Sequence, residues 1–155
     1  MKAKSIKGNS SETLGKAFRQ SMADGFSPTL AIVFASVSQD REALRQLFTE
    51  AGVTVFGATT NGEFIDEETE KGSVAVLLMD MDPDAFRLYS TSFEGDTYSE
   101  TAADLAQKAR NAFEEVGFLL MISGASTDGE QVLHGIQEVA GTEINAFGGA
   151  AGDDY

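Results

Sequence analysis

The sequence has no cysteine and no tryptophan, a single histidine and only two prolines among its 155 residues. Without cysteine there are no disulfides, no thiolate metal ligands and no cysteine nucleophile. Basic residues are scarce, with 11 Lys plus Arg against 25 Asp plus Glu and a net charge of −14. Such an excess of carboxylates repels phosphate backbones and anionic headgroups, so neither nucleic acid nor a membrane surface is the expected partner. No segment approaches the ~20 consecutive apolar residues of a membrane span. The basic start MKAKSIKGNSSETL has no signal-peptide apolar run. The expectation is a soluble, cytoplasmic protein.

An apolar share of 42% with 11 Phe is too rich for a disordered chain. A chain of this length buries roughly 68–70% of its unfolded surface, so one domain is expected over residues 1–155. Hydrophobic period then assigns the segments. Ser10 or Ser11 caps a helix with Leu14, Ala17, Phe18, Ser21 and Met22 inward. The run Leu30 to Ala35 reads as a strand buried on both faces. Asp40 caps a second helix that Gly52 stops, and a strand follows from Val53 to Gly57, then a turn at Thr59-Thr60-Asn61-Gly62.

Two antiparallel strands are predicted at Ser73 to Met79 and Ala85 to Ser92, joined by Met81-Asp82-Pro83-Asp84. A long helix follows from Ser99 to Val116, with Ala102, Leu105, Ala109, Ala112, Phe113 and Val116 inward. Next come a strand at Phe118 to Ile122 and a helix capped by Asp128, with Val132, Leu133, Ile136, Val139 and Ala140 inward. After Gly141, a strand at Ile144 to Phe147 leads into a closing Gly-rich turn.

An internal echo runs through this order. Each of two segments reads strand, Ser-x-Asp cap, helix, strand running into Phe-Gly, Gly-rich turn, acidic residue. One runs from Leu30 through Asp40 to Phe56-Gly57, the other from Phe118 through Asp128 to Phe147-Gly148. The expected fold is α/β, a mixed sheet with helices packed on it, built from two similar strand-helix-strand units. The strand-helix-strand steps favour parallel pairing.

Enzyme signatures fall short. His134 lies between Glu130 and Glu138 on a polar helical stripe, which makes it a surface histidine rather than a catalytic base. Gly124-Ala125-Ser126-Thr127-Asp128 misses the last glycine of a nucleophile elbow. Gly148-Gly149-Ala150-Ala151-Gly152 lacks the Lys-Ser/Thr of a phosphate loop. No catalytic residue, metal site or cofactor is therefore assigned.

Three segments suit a small polar ligand instead. At Ser36 to Asp40 and Gly124 to Asp128 a buried strand gives way to a helix, so free N–H groups and hydroxyls face a cleft. Gly57 to Phe64 offers hydroxyls, an amide and a carboxylate beside glycines. The third is the terminal Gly-Gly-x-x-Gly-Asp-Asp run. Candidate ligand-binding residues are Thr59, Thr60, Asn61, Glu63, Ser126, Asp128, Gly148, Gly149 and Asp153. Helix capping and tight-turn geometry account for the same residue types without any ligand.

Taken in order, Phe34-Ala35-Ser36 with Asp40, Phe56-Gly57-Ala58-Thr59-Thr60-Asn61-Gly62-Glu63 and Phe147-Gly148-Gly149-Ala150-Ala151-Gly152-Asp153-Asp154 resemble the FIST N-terminal domain. The resemblance implies an intracellular sensory domain of a bacterial signal-transduction protein that binds an amino acid or related metabolite and has no catalytic activity. It implies signalling output domains as partners (kinase, cyclase-type or chemoreceptor) and a C-terminal FIST half beyond this chain, so that the domain here is a truncated copy. Thr59, Thr60, Gly62 and Glu63 fall on one signature, and Gly148, Gly149, Gly152 and Asp153 on the other. Ala58 stands where family members often carry cysteine. Two other readings stay open: a metal-assisted hydrolase using Asp153, Asp154 and Glu63, and a non-catalytic interaction scaffold.

Overall fold

The computed structural model describes residues 1–65, 68–124 and 126–152. They form two compact units, one of residues 1–86 together with Gly152 and one of Arg87–Ala151.

In the first unit a four-stranded sheet has the order β1-β6-β2-β3, from β1 (Lys2–Gly8), β6 (Val74–Asp80), β2 (Leu30–Ala35) and β3 (Thr54–Thr59). β2 and β3 are parallel, with Leu30 opposite Thr54 and Ala35 opposite Thr59. β6 runs antiparallel to both β1 and β2, so the sheet is mixed. A short hairpin, β4 (Glu63–Ile65) with β5 (Glu68–Glu70), follows β3. Helices α1 (Ser11–Ser21) and α2 (Arg41–Thr49) cover the face carrying Ala31, Val33, Val74, Val76 and Leu78.

Local chemistry explains why the helices start where they do. At α1 the Ser10 hydroxyl accepts the Thr13 N–H at 3.2 Å, and the Thr13 hydroxyl accepts the Ser10 N–H at 3.1 Å. Two of the donors a helix start would leave unpaired are thus satisfied. Asp40 does the same for α2, accepting from the backbones of Glu42 and Ala43. The helices then present Leu14 and Phe18, and Leu44 and Phe48, to the sheet. The Phe18 and Phe48 rings meet edge to face with centroids 5.0 Å apart.

The second unit contains α3 (Tyr98–Ala112), β7 (Gly117–Ser123), α4 (Gly129–Ala140) and β8 (Asn145–Ala151). β7 and β8 form a two-stranded parallel sheet with Leu120 opposite Gly148. Ala102 and Ala106 of α3 pack with Val132 and Ile136 of α4 and with Phe118, Leu120 and Ile122 of β7. The helices approach closely because Gly135 is buried against α3, where a Cβ would stand 2.0 Å from the Ser99 carbonyl oxygen. Among the described residues no helix is long and apolar enough to cross a membrane.

The α/β class and mixed sheet follow the sequence; several details do not. β2 is buried on one face only, since both helices lie on the same side and Phe34 on the other side is 40% exposed. No strand forms at residues 85–92, because β6 already has β1 on one side and β2 on the other and leaves no edge for a hairpin partner. A 3-10 turn, Pro83–Ala85, stands there instead. The inward face of α3 is Ala102, Ala106 and Ala109, while Ala112 is exposed because the helix ends at that residue. Leu133 is 43% exposed, as α4 turns Val132 and Ile136 to the core. Gly148 to Ala151 are strand rather than turn, held by pairing with β7. β1, seven residues at the basic start, was not expected at all.

Candidate functional site

Because β2 and β3 are parallel and in register, their carboxyl ends open onto the same edge of the first unit. Ligands of open α/β sheets bind at that edge. The chain leaves β2 through Ser36 to Asp40 and leaves β3 through Thr60 to Gly62, and both departures are tied down. The Thr60 N–H donates to the Ala35 carbonyl at 3.0 Å, and the Ser36 N–H donates to the Ser73 carbonyl at 3.0 Å. The hydroxyls of Ser36 and Ser38 lie 2.9 Å apart. The Gln39 side-chain amide donates to the Gly72 carbonyl at 2.7 Å and to the Asn9 carbonyl at 3.1 Å.

Glu63 sits at the centre of this edge, 2% exposed. Its Oε1 accepts the Thr60 hydroxyl at 2.8 Å, and its Oε2 accepts the Ser73 backbone N–H at 3.0 Å and the Ser73 hydroxyl at 3.1 Å. An isolated carboxylate could not be kept out of water; three donors make its burial tolerable. The crevice beside it, lined by Lys7, Ile65, Glu70 and Ala75, is too narrow to admit a water molecule. Glu63 therefore acts as a clasp between the turn after β3 and the start of β6. Both its oxygens are engaged, so it is no free general base.

Exposed polar residues at this edge are Ser38 and Asp40 after β2 and Asn61 in the turn after β3. Thr59 and Thr60 are half-buried and Asn61 is exposed at the tip, where Gly62 adopts φ +113°. The Gly152 N–H donates to the Thr59 carbonyl at 2.9 Å, and a Cβ on Gly152 would come within 3.2 Å of the Asn61 nitrogen. The end of the Gly-Gly-x-x-Gly run thus lies against the Thr-Thr-Asn turn.

The remaining candidates belong to the second unit. Asp128 caps α4, accepting from Glu130 and Gln131 at 3.0 and 3.2 Å. Ser126 is exposed; its hydroxyl lies 3.2 Å from that of Ser123 and its carbonyl accepts the Tyr98 hydroxyl at 2.7 Å. Gly148 and Gly149 are residues of β8. Gly148 takes φ +144° beside Leu120, in the register place that Gly57 holds beside Val33. A Cβ there would stand 1.9 Å from the Leu120 carbonyl oxygen, whereas Gly149 faces open space. His134 is exposed, its Nδ1 3.4 Å from Glu138 Oε1. Asp153 and Asp154 lie outside the described residues.

Sequence reasoning overlooked Ser73 and the depth of Ser36, which with Glu63 are the buried polar residues among those described. The available signal for Ser73 was its place between Gly72 and an unbroken apolar strand. Among the described residues no group of three His, Asp or Glu is arranged to hold a metal ion.

A family model described as the FIST N domain matches residues 29–155. No curated protein and no solved structure matches the chain.

Proposed function

The chain belongs to the FIST N domain family, a sensory domain family associated with signal transduction, and from that premise we propose that it binds a small polar metabolite, with amino acids the first class to test. The proposed contacts in the first unit are Thr59, Thr60 and Asn61, at the carboxyl ends of β2 and β3. Glu63 holds the turn in shape rather than touching the ligand. Ser126 and Asp128, at the strand-to-helix corner of the second unit, are a separate proposed set. Gly148 and Gly149 lie in β8 and are not among the contacts proposed. Occupancy would report to a signalling partner through unequal affinity for two conformations.

One observation carries the reading. Hydrogen bonds accepted by the buried Glu63, and one donated by the Ser36 N–H, fix two loops at the edge where open α/β sheets take ligands, and beside them Thr59 stays half-buried and Asn61 exposed. Preorganised polar groups of this kind suit a ligand with both donors and acceptors.

The experiment is a thermal-shift screen of amino acids and small metabolites on the whole chain, followed by calorimetry. A ligand at 100 times its Kd adds about 2.7 kcal/mol, a rise of several degrees. Asn61→Ala should weaken that binding without lowering the melting temperature of the free protein, and Ser126→Ala tests the other set alone. Absence of any saturable ligand would defeat the proposal.

A further inference from the structure

Parallel sheets are ordinarily larger than two strands and covered on both faces. The second unit's sheet is neither. Among the described residues β8 pairs with β7 and with no other strand, and Phe147 on the face away from α3 and α4 is 67% exposed. Gly148, Gly149 and Ala150 are exposed as well.

Natural edge strands carry charges, prolines or bulges that stop other chains from pairing with them. β1, an edge strand of the first unit, follows that rule with Lys2, Lys4 and Lys7. β8 does not: Asn145–Ala151 holds no charge and no proline, and its register with β7 is unbroken over seven residues. The chain guards β1 in this way and leaves β8 bare.

A groove of about 220 Å³ runs between this edge and α4, with Leu120, Ile122, Val132 and Leu133 as walls and the β8 backbone as floor. It exists because Ala146, Gly148 and Ala150 put almost no side chain beneath α4. Its walls are apolar, and it is smaller than the roughly 300 Å³ at which metabolite pockets begin. An anchor side chain fits that description better than a whole metabolite does. Asp128 and Glu130 flank Gly129, which lines the groove at the start of α4. The unit as a whole carries ten acidic residues and three basic ones.

We propose that the free edge of β8 accepts an added β-strand from a partner polypeptide, an extended segment apolar at its centre and basic at its ends. Main-chain hydrogen bonds beside Asn145–Ala151 supply affinity, and an apolar side chain in the groove supplies selectivity. A second copy of this chain is a poor occupant, since it would bring two acidic units together.

The test uses the whole chain and a labelled peptide, acetyl-Lys-Lys-Thr-Val-Ile-Val-Thr-Lys-Lys-amide. A control peptide of equal charge carries proline in place of the isoleucine. At about 150 mM salt, where long-range attraction is screened, the first peptide should bind saturably and the control about tenfold more weakly, because proline cannot complete a strand. Amide exchange should slow within residues 145–151. Leu133→Gln leaves charge unchanged at an exposed position and should weaken binding about fivefold by spoiling the anchor pocket. Equal binding of both peptides, slowed exchange only outside β8, or self-association that itself protects β8 would each overturn the proposal.

Discussion

Ser73 holds Glu63 twice: its backbone N–H and its hydroxyl reach the same carboxylate oxygen, at 3.0 and 3.1 Å. Removing the carboxylate strands both donors and frees the Thr60 hydroxyl. Glu63→Ala should therefore cost about 2–4 kcal/mol, within the range for breaking buried charged hydrogen bonds. Glu63→Gln keeps an oxygen for Ser73 and should cost less. Urea unfolding curves measure both, and an alanine variant as stable as the parent would contradict the clasp.

The glycines of β8 separate geometry from composition. Gly148→Ala forces a side chain into a left-handed backbone and against the Leu120 carbonyl, so a loss of about 1–3 kcal/mol is expected. Gly149→Ala meets nothing and should change stability little. Thermal unfolding of the pair tests this, and equal effects would contradict the strand register.

Phe48 is fully buried between α1 and the sheet. Phe48→Ala should cost about 3–5 kcal/mol, the usual penalty for an emptied aromatic site. The same measurement on Phe64→Ala, where the ring is 73% exposed, should show no comparable loss.

Asp24 is held below the ordinary carboxylate value of 3.8, first by its hydrogen bond from Lys4 and next by the Phe26 N–H. A carboxylate lowered in the folded state binds protons more readily once unfolded. Its contribution is present above the unfolded value and disappears as pH falls through the folded one. Acid titration of stability should thus show a loss below about pH 4 that Asp24→Asn reduces. Lys4 also lies 4.9 Å from the centre of the Phe26 ring, so Lys4→Met should flatten the same acid limb.

Much of this architecture was legible because single residues announce it. Asp40 and Asp128 lie before apolar-periodic segments and do cap α2 and α4. Gly141, at φ +89°, ends α4 as its position suggests. β1 was illegible for a physical reason: Lys2, Lys4 and Lys7 suit a guarded edge, but by composition they look like a solvated leader. Gly148 and Gly149 read as a turn because glycine disfavours strands, yet seven paired residues against β7 override that preference. At the site, the turn at Thr60 to Gly62 could be located from its residue types, while Thr59 proves to be the last residue of β3. The burial of Glu63 could not, since acidic side chains default to the surface and its partner Ser73 lies beyond a hairpin.

The position of β1 beside β6 carries a cost in time. Lys2 faces Asp80 and Gly8 faces Val74, so the first strand of this unit waits during synthesis for one of the unit's last. The long loop between them makes closure of that sheet a slow, non-local event. During the wait the lysines of β1 keep a naked strand dissolved, and a nascent chain halted before Val74 would carry it unpaired.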